Sequence, residues 1–249
     1  MINVLISGCS GHMGHVVAAE ISGREDVQAV AGVDVRSCAC DFPVFSSPAE
    51  VNVPADVVID FSNPSALLPL LDYAKQNKVP VVLCTTGYDS AQVEKLKEAA
   101  KAIPVFYSRN MSLGINLLIE LSKKAAQVLG PAFDVEIIEK HHNQKIDAPS
   151  GTALMIADAV SQARGGDMHY VYDRHSQRKK REPSEIGIHS IRGGTIVGEH
   201  EVLFAGHHEV ITLSHSAQSK EVFAAGAVNA AVFLAGKPAG LYDMSNLLK

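Results

Sequence analysis

The sequence is poor in cysteine, with four among 249 residues, and that scarcity excludes the disulfide-stapled class of small secreted domains. Cys9, Cys38, Cys40 and Cys84 cluster in the first third of the chain and read as reduced thiols. The single residue between Cys38 and Cys40 is poor spacing for a zinc or thioredoxin-like site, so no metal is expected. Long hydrophobic runs are missing too: nothing approaches the roughly 18 apolar residues of a membrane span. Met1-Ile-Asn-Val-Leu-Ile-Ser7 lacks the basic flank of a signal peptide and reads as a first strand. Positive charge is in deficit, 22 Lys and Arg against 27 Asp and Glu, which argues against nucleic acid as the main partner. The basic run Arg178-Lys-Lys-Arg181 reads as a solvated loop. Internal repeats and low-complexity segments are lacking, no membrane partner is expected, and the expected location is cytoplasmic.

What remains is globular in composition, 47% hydrophobic and 20% charged, with length enough for two domains. In the N-terminal part, short β-branched runs alternate with helical spacing. Strands are expected at Val4–Ser7, Val27–Ala31, Val57–Asp60, Val79–Cys84 and Ile103–Tyr107. Helices are expected at Met13–Ser22, Ser65–Gln76, Ala91–Ala102 and Ile115–Leu129, with Ser65 and Ser90 as caps. That rhythm predicts an α/β fold: a Rossmann-type doubly wound parallel sheet over residues 1–111.

After Pro131 the rhythm changes. A strand at Asp134–Lys140 and a helix at Gly151–Ala163 precede strands at Ile186–Ile191, Gly198–Phe204 and Glu209–Ser214. Those later strands have no helices between them, so residues 112–219 read as a second, α+β domain with a mixed sheet. Gly165–Glu185 is its long loop, and residues 220–249 form an Ala-rich helix and tail returning to the first domain.

Gly8-Cys9-Ser10-Gly11-His12-Met13-Gly14 follows the first strand and opens the first helix, the setting of a dinucleotide-binding turn. Glycine lets the backbone approach a pyrophosphate, and the helix N-terminus offers free N–H donors. Asp34 ends the second strand about twenty residues beyond Gly14, where a carboxylate can accept both ribose hydroxyls of NAD. Arg36 could instead meet the 2′-phosphate of NADP, so either cofactor is open. Cys84-Thr85-Thr86 and Ser108-Arg109-Asn110-Met111 follow two more strands, at the edge where such sheets bind ligands.

The segment from Glu139 to Ala153 gathers two imidazoles, an ammonium and a helix start. His141 and His142 would point to opposite sides of an extended chain, so one suits proton transfer and the other binding. Lys145 adds a compact positive charge. Ser150-Gly151-Thr152 opens a helix whose N–H groups can hold a carboxylate. The pattern asks for a small anionic substrate that needs a proton.

Glu139-Lys-His-His-Asn-Gln-Lys-Ile-Asp-Ala-Pro-Ser-Gly-Thr-Ala153 resembles the signature of the 4-hydroxy-tetrahydrodipicolinate reductase (dihydrodipicolinate reductase) family. Gly8–Gly14, Asp60-Phe-Ser-Asn-Pro64, Thr85-Thr-Gly87, Ile191-Arg-Gly-Gly194, Val197-Gly-Glu-His200 and Gly236–Asp243 extend the resemblance over essentially the whole chain. The resemblance implies NADH- or NADPH-dependent reduction of a small dicarboxylate to tetrahydrodipicolinate, in diaminopimelate and lysine biosynthesis. It implies His141 as proton donor and acceptor, and Lys145 as a proton donor that also pairs with a substrate carboxylate. His142, Gly151 and Thr152 would bind substrate beside Ser150. Gly8, Cys9, Ser10, Gly11, His12, Met13, Asp34, Cys84, Thr85, Thr86, Ser108, Arg109, Asn110 and Met111 would line the cofactor. It also implies a homotetramer and no metal. Where relatives carry Gly-Ala-Val-Arg, this chain has Gly226-Ala-Val-Asn229. Two other readings use the cofactor fold: a related aspartate-type amino-acid dehydrogenase, and a non-catalytic NAD(P)-binding redox sensor. Neither needs the His-Lys-Ser-Gly-Thr string.

Overall fold

A computed structural model describes residues 1–248. Its elements run β1 (Ile2–Ser7), α1 (His12–Ser22), β2 (Val27–Val33), β3 (Val44–Phe45), β4 (Val57–Asp60), α2 (Leu67–Asn77), β5 (Val81–Leu83), α3 (Ser90–Ala99) and β6 (Pro104–Tyr107). They continue through α4 (Leu113–Leu129), β7 (Asp134–His141), α5 (Gly151–Ala163), β8 (His169–Val171), β9 (Glu185–Arg192), β10 (Gly198–Ala205) and β11 (Val210–Ala217). The last elements are α6 (Glu221–Leu234), β12 (Gly240–Tyr242) and α7 (Met244–Leu247).

The chain divides into two units, Met1–Leu113 with the segment from Lys220 onward, and Gly114–Ser219. The first holds seven strands in the order β12-β6-β5-β4-β1-β2-β3, every neighbouring pair parallel. Alternation along β1 explains why both faces are covered. Val4 and Ile6 pack with Val17 and Ile21 of α1 and Ala224, Ala227 and Ala231 of α6. Leu5 points the other way, into a cluster with Leu67 and Leu70 of α2 and Leu96 of α3. Small residues on α6 let it lie close. A Cβ on Gly226 would overlap the Met111 carbonyl oxygen.

The expected caps move by one or two residues. Asn63, not Ser65, accepts an N–H at the turn before α2, because Pro64 opens that turn and Ser65 already lies inside it. Asp89, not Ser90, caps α3 and forms a reciprocal box with Gln92. Such a cap contributes about 1 kcal/mol. Truncating a fully buried leucine such as Leu96 costs about 2–5 kcal/mol, so packing dominates in holding α3.

The second unit is built on a five-stranded mixed sheet in the order β11-β10-β7-β9-β8. β10 is antiparallel to both β7 and β11, while β9 is parallel to β7 and β8. Ile115 and Leu118 of α4 and Ile156 and Val160 of α5 pack with Val135, Ile137, Val202 and Phe204 of the sheet.

Three expectations are corrected. The Gly165–Glu185 loop contains strand β8. The basic run is not simply solvated: Arg181 pairs with Asp134 and Glu136, and Lys179 with Glu182 and Glu185. All four acids lie outside the run, and Asp134 and Glu136 come from distant β7, so the linear charge pattern concealed those pairs. Finally, Cys38 and Cys40 are joined as a disulfide rather than free thiols, because the loop after β2 turns their side chains together.

Candidate active site

Parallel strands place all their C-terminal ends on one edge of the first sheet, and the order reverses between β1 and β4, where such folds open a ligand crevice. Gly8 has φ +81°, and a Cβ there would sit 2.7 Å from the Phe61 carbonyl oxygen. A Cβ on Gly14 would overlap the Gly8 carbonyl. Both glycines are therefore required by backbone approach. Gly11 stands at the N-cap of α1 with no side-chain cap, leaving the first N–H groups of the helix to an incoming anion.

Asp34 closes the same loop from β2, accepting the N–H of Ser10 at 3.1 Å and of Arg36 at 3.0 Å. Burial would raise its carboxyl. Hydrogen bonds from Ser10 and Arg36, with the Arg36 charge, outweigh that and hold it below the ordinary range. It stands as a charged acceptor beside a glycine cradle, and these residues fit a dinucleotide.

The other loops on this edge divide. Thr86 and Arg109 are exposed. Thr85 is buried, and its hydroxyl donates to Asp60 at 2.7 Å, so its side-chain proton is already engaged. Asp60 also accepts from Ser62 and Tyr88, tying the β4 and β5 ends together. Cys84 is buried, and burial, with Asp60 nearby, pushes its thiol well up. Ser108 donates to the Asn110 carbonyl at 2.7 Å, and the Met111 side chain is buried in the core. Asn229 accepts from Arg24 at 2.7 Å, which puts a guanidinium beside this position of α6.

In the second unit, β7 alternates strictly, burying Val135, Ile137, Glu139 and His141 on one face. The last two turn an apolar row into a polar one. Glu139 is fully buried and accepts from His141 Nδ1 at 2.6 Å, from both Arg192 terminal nitrogens at 2.7 Å, and from the Ser150 N–H at 3.1 Å. Burial would raise this carboxyl. The bonds from His141, Arg192, Ser190 and Ser150 override it and hold Glu139 far below the usual carboxylate range. A permanently charged acceptor at Nδ1 fixes the proton there and directs Nε2 away from Glu139. Nε2 faces Gly198, where an added Cβ would stand 3.2 Å away.

Ser150 caps α5 by accepting the Ala153 N–H, and meets His200 Nε2 at 3.0 Å. His200 lies opposite Glu139 across the β7–β10 pair. Burial, then the charge of neighbouring His141, pushes it down to about 3, so it is neutral. A Cβ on Gly151 would meet nothing within 4 Å. Packing does not require glycine there, and its absence of a side chain keeps the α5 N-terminus open.

Lys145 pairs with Asp147 at 2.9 Å, and the Asp147 carbonyl accepts Arg192 at 2.6 Å. The Lys145 N–H is bonded to the His142 carbonyl, and His142 is half-buried beside buried His141. One network thus joins His141, Ser150 and Lys145 through Glu139 and Arg192. Sequence reasoning did not assign Glu139, Arg192 or His200. The available signal was a glutamate two residues before His141, on the same strand face.

Two family models match nearly the whole chain: dihydrodipicolinate reductase, N-terminus, over residues 2–111, and C-terminus, over residues 114–248. A 4-hydroxy-tetrahydrodipicolinate reductase from Caldanaerobacter subterraneus subsp. tengcongensis is 55% identical, covering 100% of this chain and 99% of the relative. One from Clostridium novyi is 50% identical, with 100% and 99% covered. Among solved structures, a dipicolinate-bound dihydrodipicolinate reductase from Paenisporosarcina sp. TG-14 superposes with TM-score 0.83 at 27% identity, covering 99% of each chain. An aspartate dehydrogenase from Thermotoga maritima, TM-score 0.52 at 14% identity over 96% of this chain and 98% of that one, shares the fold alone. The glycine turn, the buried Glu139–His141 pair and these matches over both units lead to one conclusion: the chain belongs to the dihydrodipicolinate reductase family.

Proposed function

We propose that this chain catalyses the NAD(P)H-dependent reduction of 4-hydroxy-tetrahydrodipicolinate to tetrahydrodipicolinate, a step of diaminopimelate and lysine biosynthesis. The observation that carries the reading is His141 held by fully buried Glu139 within bonding reach of the α5 N-terminus, in a chain matched by the family over both units.

The first unit holds the dinucleotide at Gly8–Met13 and Asp34, with the loops at Cys84–Thr86 and Ser108–Met111 along the same sheet edge. Reduced nicotinamide supplies the hydride. His141 holds and delivers the proton at Nε2, while Glu139 at Nδ1 stabilises the charged imidazolium. Lys145 exchanges its Asp147 partner for a substrate carboxylate and acts as a second proton donor. The N–H groups of Gly151 and Thr152, with His142, hold the other carboxylate. A ring dicarboxylate suits two such anion sites, and dipicolinate is the ligand of the Paenisporosarcina relative.

The cytoplasm is the proposed location, and no helix among the described residues is long and apolar enough to cross a membrane. A homotetramer is proposed as well. The alternate residues Val210, Thr212, Ser214 and Ser216 expose one face of β11, which can meet another copy; light scattering checks the mass.

The test follows NADH and NADPH oxidation separately while an upstream synthase makes substrate from pyruvate and aspartate semialdehyde. His141→Ala and Lys145→Ala are each expected to lower kcat by about 10²–10⁴-fold. Wild-type protein that binds a dinucleotide tightly yet oxidises neither cofactor refutes the assignment.

A further inference from the structure

The fold brings Cys9, from the glycine turn after β1, to the loop that carries Cys38 and Cys40. Their three sulfur atoms all lie within 4.8 Å of one another. Cys9 Sγ stands 3.9 Å from Cys38 Sγ, close to the edge of a zinc–thiolate tetrahedron, ~3.8 Å for a metal–sulfur bond of ~2.3 Å. Nothing in the proposed reduction uses these groups together. We propose that the reduced protein binds one thiophilic divalent cation of the zinc class through Cys9, Cys38 and Cys40, and that the Cys38–Cys40 disulfide is the closed state of that site.

Ligand number and type agree with this chemistry: three soft donors suit a d¹⁰ ion that completes its tetrahedron with water. Cys40 lines an open cavity of about 440 Å³ with His15, Ile21 and Phe42, which gives this sulfur access to solvent. Phe42 also packs near Cys9 and Cys38 in the core cluster, giving the sulfurs an apolar flank. The one-residue Cys38–Cys40 spacing alone carries no metal signature. The third ligand comes from the turn after β1, about thirty residues earlier in the chain, which only the fold brings close.

The chemistry balances without the dinucleotide. A phosphine cleaves the Cys38–Cys40 bond with one water: each sulfur leaves as a thiol, and the oxygen goes to the phosphine as its oxide. The divalent ion then forms three metal–sulfur bonds and releases three protons to solvent, with no change in its oxidation state.

The test uses the full chain, reduced with a phosphine, freed of it without oxygen, and titrated with Cd²⁺ while thiolate-to-cadmium absorption is read in the ultraviolet. One ion per chain is expected. Cys9→Ser and Cys38→Ser should each weaken binding at least 100-fold, Cys84→Ser should leave it unchanged, and the unreduced chain should give no such band. Part-exposed Cys40 carries the same test as Cys40→Ser if the buried Cys9 variant does not fold. Absence of a stoichiometric band in reduced wild type, or binding that survives both Cys38→Ser and Cys40→Ser, overturns the proposal.

Discussion

Replacing Glu139 with glutamine keeps the side chain's shape and removes one buried charge. Glutamine cannot serve all its partners, because its amide nitrogen would face an Arg192 donor in either orientation, together with His141 Nδ1 in one and the Ser150 N–H in the other. Loss of the Arg192 pair belongs to the class of broken buried ion pairs, about 3–5 kcal/mol. Arg192 keeps the carbonyls of Asp147 and Ile191, which favours the lower end. About 3 kcal/mol corresponds to a Tm fall of roughly 6–12 °C in a chain of this size. The His141 bond is charge-assisted, about 1.5–3 kcal/mol. If that stabilisation acts on the imidazolium of the working acid, kcat falls roughly 10- to 150-fold. KM should move less than threefold, since Glu139 is fully buried behind His141. Coupled-assay kinetics and thermal melts measure both effects, and nitrogen NMR of the His141 ring reads the tautomer directly. A variant with the expected melting loss, kcat within threefold of wild type and Nδ1 still protonated would refute the positioning role and leave the pair purely structural.

Acid stability gives a second expectation. His200 is depressed to about 3 from 6.5, so the unfolded state binds its proton first and stability is lost as pH falls below about 6.5. This residue's slope is at most about 1.4 kcal/mol per pH unit; burial-depressed His215 adds the same sign. Glu139, depressed from 4.5, contributes its loss below that value. Urea melts at pH 7.5, 6.5 and 5.5 should show a shallower decline in His200→Gln, and equal slopes would count against a neutral buried ring. Gly14→Ala drives a Cβ into the Gly8 carbonyl, so dinucleotide affinity should fall at least tenfold by calorimetry; unchanged affinity would remove the glycine turn from the binding site. Asp34→Ser removes a charged acceptor worth about 1.5–3 kcal/mol. NADH affinity should then drop roughly 10- to 150-fold and NADPH affinity less, and equal losses would argue against ribose recognition by this carboxylate.

The parallel sheet was legible because its long strands are β-branched runs buried on both faces, such as Val57–Asp60. β3, β8 and β12 escaped notice, because each has two or three residues and, unlike the equally short β5, none is a fully buried apolar run. At the candidate site, His141, Lys145 and Ser150 stand in one stretch of sequence. Their organiser's partner does not: Arg192 is 53 residues from Glu139, and His200 is 50 from Ser150. A glutamate that continues the alternation Val135, Ile137 was the readable warning, since a lone carboxylate does not remain buried in an apolar row without a cation. The Cys9–Cys38 proximity likewise depends on β1 and β2 lying side by side, which spacing along the chain does not encode.

The first unit is interrupted in sequence, and α6 and β12, which cover one face and one edge of its sheet, are translated after the second unit. As the chain leaves the ribosome, Gly114–Ser219 emerges whole and can fold as a continuous piece, while Val4, Ile6, Ile59 and Val82 still await Ala224–Leu234. A message cut short before Lys220 therefore yields a sheet with a bare apolar face, a substrate for chaperones and proteases. Synthesis of the second unit thus separates the two parts of the first, and the apolar face of its sheet is covered only once Ala224–Leu234 has emerged.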